Sequence, residues 1–130
     1  MVDRDEHGYV LIAMPWKRQE MISLLDELSD EGEQVRLWVM HGSYPDSSGI
    51  DDVFHFFFDD TELGNDVNSE VGNILKNQDE AVAVDSVCKA LDQLLTRSGD
   101  VSSAMFMADP AWPSLMHLAR TALTVLREPR

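Results

Sequence analysis

The chain has 130 residues, a formal charge of −14, 44% hydrophobic residues and one cysteine. That length suffices for one domain with its own core, and the apolar content excludes a wholly disordered chain. No apolar run reaches the ~20 residues that cross a bilayer, and Cys88 alone excludes an intramolecular disulfide or a cysteine-rich zinc site.

The opening "MVDRDEHG" is acidic where a secretory signal would be positive, which sets an expectation of cytoplasmic residence. Residues 1–14 read as an N-terminal extension, with "YVLIA" extended because of its β-branched and aromatic content. Pro15 suits the first turn of a helix, and Met21, Leu24, Leu25 and Leu28 follow at helical spacing. "LSDEGEQ" interrupts that pattern. "QVRLWVM" (residues 34–40) admits a strand or a short helix capped near Ser29 or Asp30, and the reading leans to helix. "HGSYPDSSG" (residues 41–49) has the Gly, Ser, Pro and Asp content of a surface loop suited to making contacts.

Next comes "DDVFHFFFDD" (residues 51–60). Asp51 and Asp52 suit a helix N-terminus, where carboxylates meet free N–H groups and a favourable dipole. Val53, Phe54, Phe57 and Phe58 are the expected core side chains, each phenylalanine worth roughly 1.5–3 kcal/mol on burial. Asp59 and Asp60 would be disfavoured at a helix C-terminus, so a capping-box-like pair of Asp59 with Glu62 is expected to start the next turn. "NDVNSEVGNILKN" carries Val67, Val71, Ile74 and Leu75 at helical spacing.

The longest stripe runs through Val84, Val87, Cys88, Leu91, Leu94 and Leu95 to "RSG", with Gly99 as C-cap. Asp79 and Glu80 read as acids of its first turn, and Cys88 as an inert core thiol. The last helix has a start signal at Asp109 and Pro110, keeps Pro113 in its first turn, and turns Leu115, Ala119, Ala122, Leu123 and Leu126 inward. His117 is expected to be half-buried, and Arg120 to serve as an internal counter-ion. Core roles are expected for two of Trp16, Trp38 and Trp112, and exposure for Tyr44. These elements add up to a mainly α, single-domain bundle of five to six helices behind a short extended segment.

The charge is segregated. Residues 26–80 hold fifteen acids against two bases, Arg36 and Lys76, a net of −13, whereas the other 75 residues sum to −1. Such a field repels nucleic acid and anionic membranes and attracts a basic protein. No phosphate-binding glycine loop, dinucleotide fingerprint, nucleophile elbow or triad spacing is present, so neither catalysis nor a cofactor is expected. One alternative is a metal-dependent enzyme or metal-binding protein: on a helix Asp52, His55 and Asp59 share a face, and a residue such as His41 would supply a further ligand. A second alternative is self-association through "YVLIAM".

The segments "PWKRQEMISLLDEL", "EQVRLW", "DDVFHFFFDDTEL", "VGNIL", "DEAVAVDSVCKALDQLL" and "DPAWPSLMHLARTAL" together resemble small acidic, largely uncharacterised bacterial proteins, some of them grouped with immunity proteins of contact-dependent inhibition and other polymorphic toxin systems. The resemblance spans roughly residues 15–126, and none of its segments is a catalytic fingerprint. It implies a helical, non-enzymatic binder that blocks a cognate toxin. Joined to the charge, it gives an expected contact set of Tyr44, Asp46, Asp51, Asp52, Asp59, Asp60, Glu62 and Asp66 against a basic partner.

Overall fold

A computed structural model describes residues 12–39, 49–99 and 103–128. Six α-helical segments lie among them: α1 (Pro15–Ser29), α2 (Glu31–Gln34), α3 (Ile50–Phe54), α4 (Gln78–Ser98), α5 (Ser103–Met107) and α6 (Trp112–Leu126). Two are prolonged by wider π-helical turns, α2 through Val35–Val39 and α3 through His55–Asp60. The molecule is thus a mainly α bundle with no strand among the described residues. None of these helices is long and apolar enough to cross a membrane. "YVLIA", apart from its last two residues, and the loop before Gly49 lie outside the described residues.

The three long helices form the frame, with α6 packed against both α1 and α4. Their inward stripes are those the periodicity selects: Met21, Leu24, Leu25 and Leu28 from α1, Val84, Val87, Cys88, Leu91 and Leu94 from α4, and Leu115, Ala119, Ala122, Leu123 and Leu126 from α6. Leu95, expected in the stripe, is instead 37% exposed. Helix ends also follow local chemistry. Pro15 opens α1, Asp30 accepts the Glu33 N–H to cap α2, and Gly99 ends α4 at φ 71°, its N–H reaching the Leu95 carbonyl. Asp109 caps the approach to α6 by accepting the Ala111 N–H at 2.9 Å, while Arg97 bonds the same oxygen.

Two polar knots fix the ends of α1. At its start, the Arg18 guanidinium makes a bidentate pair with Glu80, both contacts 2.9 Å, and donates to the Ile74 and Leu126 carbonyls. Both residues are buried, and Glu80 also accepts the Lys76 N–H at 2.7 Å. The pair ties α1 to the N-terminus of α4 and the C-terminus of α6. Arg18 is therefore the internal counter-ion. Arg120 is exposed and donates to the Ser29 carbonyl, and His117 is likewise exposed.

At the far end of α1, buried Gln34 donates to the Glu27 and Leu28 carbonyls of the last turn at 2.8 and 2.9 Å, the Glu27 carbonyl also taking the Asp30 N–H at 3.3 Å. Its oxygen accepts the Trp112 indole N–H at 3.0 Å. Trp38 packs edge-on against Trp112, centroids 6.0 Å apart. Two of the three tryptophans are core residues, and Trp16 is the exposed one.

Residues 66–77 differ from the expected helix. A single 3₁₀ turn, Val67–Glu70, gives way to turns held by the Glu70 carbonyl, which accepts the N–H groups of Asn73, Ile74 and Leu75. Gly72 sits at φ 98°, a conformation that an α-helix does not contain. Ile74 and Leu75 are still buried, but on a compact turn. Helical spacing over four residues does not distinguish the two.

Candidate functional site

The acids singled out in the sequence lie on and just after one helical rod, α3 with its π extension, spanning residues 50–60. Ile50, Val53, Phe56 and Phe57 are its buried side, while Asp51, Asp52, His55, Asp59 and Asp60 face solvent. Phe54 and Phe58 are only half-buried, and Phe56 takes the core place expected for Phe58. The cause is the π turn. Its i→i+5 bonding widens the helix, so each residue advances by a smaller angle and the adjacent Phe56 and Phe57 both stay inward. Their rings meet edge to face at 5.1 Å, and Phe54 meets Phe106 of α5 at 5.5 Å. Lys17 of α1 lies over the Phe56 ring, 5.7 Å from its centroid.

Asp51 and Asp52 occupy the first turn of the rod, as expected. Asp59 and Asp60 do not play their expected part, because they lie within the last turn rather than capping the next element. The N–H groups they would have capped are taken. Glu62 N–H goes to the Glu70 carboxylate at 2.9 Å, Leu63 N–H to the Thr61 hydroxyl, Gly64 N–H to the Phe57 carbonyl, and those of Asn65 and Asp66 to the Glu62 carbonyl. Buried Glu70 thus does the capping that the sequence reading gave to the Asp59 and Glu62 pair. Asp59 pairs with the His55 imidazole at 2.9 Å, both side chains about two-thirds exposed. Glu62 and Asp66 lie exposed in the turn that follows the rod, and Tyr44 and Asp46 lie outside the described residues.

Asp52, at the start of the rod, acts electrostatically on Glu27 near the end of α1. Glu27 accepts the Trp38 indole N–H at 2.9 Å. Partial burial pushes its carboxyl above the usual range. The Trp38 bond and Arg36 oppose that rise, while Asp52 and Glu33 reinforce it. Glu33 and Asp52, from two other elements, therefore both lie within electrostatic reach of Glu27. This convergence was invisible in the sequence, because it depends on how α1 and α3 approach in space.

Among the described residues the metal alternative gains no geometry, and His41, its further ligand, lies outside them. His55 reaches Asp59, but no group of three carboxylate, imidazole or thiol side chains among the described residues is placed to hold an ion. Cys88 is buried, which pushes its thiol up to about 12, with Asp85 adding to the effect; it stays protonated and unreactive.

A family model matches residues 12–129, nearly the whole of the chain. The chain belongs to the family described as a domain of unknown function, DUF7945. No curated protein and no solved structure matches it. The family match covers every element that builds the acidic rod and its neighbours.

Proposed function

We propose that this is a non-enzymatic binding protein that neutralises a basic partner through its acidic surface, in the manner of an immunity protein and its toxin. The observation that carries the reading is the placement of Asp59 and Asp60. They are exposed in the last turn of a helix, where the dipole disfavours carboxylates, and the neighbouring N–H groups have other partners. The contact of Asp59 with His55 is about two-thirds exposed on both sides and contributes little to folding. Residues that break a local rule without a structural return mark a surface kept for use. With Asp51 and Asp52 at the other end of the rod and Glu62 and Asp66 beyond it, the exposed acids run along its length and past its end.

A basic protein, such as a nuclease toxin that presents cations to nucleic acid, would be drawn to this surface quickly and in a salt-sensitive way. In this reading the protein acts in the cytoplasm, binds neither nucleic acid nor membrane, and needs no cofactor. The test is co-expression with the product of the adjacent gene, followed by affinity purification and titration calorimetry. Expected are a stoichiometric complex, weakening as salt is raised, and a loss of affinity of at least about tenfold in the Asp59→Lys/Asp60→Lys variant. Absence of a complex, or one indifferent to both salt and charge reversal, overturns the proposal.

A further inference from the structure

Trp16 is 64% exposed, the most exposed large apolar side chain among the described residues, whereas Trp38 and Trp112 are each only 3% exposed. It does not ride on a loose end. Pro15 sets the first turn of α1, the N–H groups of Ala13 and Met14 bond the Gly72 and Asn73 carbonyls at 3.0 and 2.8 Å, and Arg18 is locked to Glu80. Lys17, the nearest cation in the chain, is drawn towards the Phe56 ring. The solvent face of α1 that starts at Trp16 continues through Glu20 and Ser23, both exposed, to half-buried Glu27 and its neighbours Asp52 and Glu33. A fixed indole thus heads a face on which acids outnumber bases, Arg36 being paired with Glu33 and Arg127 with Asp26.

We propose that Trp16 anchors the basic partner, an arginine of which stacks on the indole and pairs with Glu20. The inference rests on the binding reading above and deepens it. Residues four apart on a helix are neighbours, so Trp16 and Glu20 present a π face and a carboxylate side by side. A planar guanidinium satisfies both at once, by cation–π stacking and by charge-assisted hydrogen bonds. A second copy of this chain is a poor occupant, since a twofold contact on this face would set acid against acid. An anionic bilayer is repelled by the same charge.

The experiment is titration of the full chain with the adjacent-gene product, read by calorimetry and by tryptophan fluorescence. Trp16→Ala is expected to weaken binding by at least about 30-fold, which converts to ~2 kcal/mol and the range of an interface hot spot. Its melting temperature should stay close to that of the parent. Val82→Ala, at a residue 59% exposed on α4, is the control and should leave affinity unchanged. Complex formation should also protect the parent's red-shifted, quencher-accessible emission, a change absent in Trp16→Phe. Binding of Trp16→Ala within about threefold of the parent overturns this inference and leaves the binding function standing. No complex with the parent chain overturns both.

Discussion

Removing both members of the Arg18–Glu80 pair should cost less than the sum of removing each alone. The guanidinium is 8% exposed and the carboxylate residue 3%. Arg18→Met leaves an ionised Glu80 in the interior with only the Lys76 N–H, and strips the Ile74 and Leu126 carbonyls of a donor. Breaking a buried pair in this way costs about 3–5 kcal/mol, a large share of the ~5–15 kcal/mol by which a domain is stable. Glu80→Leu should cost a similar amount, because it strands the cation instead. In Arg18→Met/Glu80→Leu no charge remains. The outstanding cost is the unpaired Lys76 N–H and two carbonyls, about 1–3 kcal/mol for each group that water cannot reach. The double variant should therefore fall at least ~2 kcal/mol short of the sum of the singles. Urea unfolding at pH 7, followed by far-ultraviolet circular dichroism, supplies all four corners of the cycle. Additive costs, or a single substitution costing below about 1 kcal/mol, would refute the assignment of this pair as the lock on α1.

Two further outcomes follow from local geometry. Glu27 has its folded-state pKa raised, first by burial, so its ionised form is disfavoured in the native state. Its stabilising contribution is complete below the ordinary carboxyl value near 4.5 and is lost as pH rises through the higher folded value. Glu27→Gln keeps an acceptor for Trp38 and should raise the melting temperature at pH 7 but not at pH 4; an equal change at both values would count against this account. At Gly64, an added Cβ would run into the Phe58 ring and come within 2.8 Å of the Phe57 carbonyl. Gly64→Ala should cost about 1–3 kcal/mol in thermal or urea unfolding, and an unchanged midpoint would show that the turn after the rod relaxes freely.

The elements built from long stripes were legible because burial in α1, α4 and α6 depends on periodicity, and periodicity is a local property of the sequence. So were Pro15, Asp30 and Gly99, each of which acts on its own turn. The misreadings share a cause. Phe56 reached the core through a π turn, a change of pitch that side-chain spacing cannot announce. Glu70 took the capping work assigned to Asp59 and Glu62 because the chain folds back after residue 66, bringing a later carboxylate to an earlier N–H. Arg18 was overlooked in favour of Arg120 although both sit on amphipathic helices. Its place at the 3.6-residue spacing of Met21 and Leu25 was the signal that could have found it. Among the site residues, the exposure of the rod's acids followed from their alternation with the core stripe, whereas the convergence of Glu27, Glu33 and Asp52 needed three dimensions.

The two polar knots bear on function as well as on stability. Arg18 fixes the first turn of α1 to α4 and α6, and Gln34 satisfies its last carbonyls while holding Trp112. A helix pinned at both ends cannot fray, so the face from Trp16 to Glu27 is presented in one geometry. Binding to a rigid face forfeits little backbone entropy, and the ordering cost that remains falls on a few side chains. Tryptophan has only two side-chain torsions and loses less freedom than a lysine or glutamate of comparable reach. In the proposed binding, attraction by the rod's acids would govern how fast a basic partner arrives, and the pinned indole how long it stays. The two contributions separate experimentally: charge reversal at Asp59 and Asp60 should act mainly on the association rate and its salt dependence, and Trp16→Ala mainly on dissociation. A loss of Trp16 that slowed association and left dissociation unchanged would contradict this division of labour.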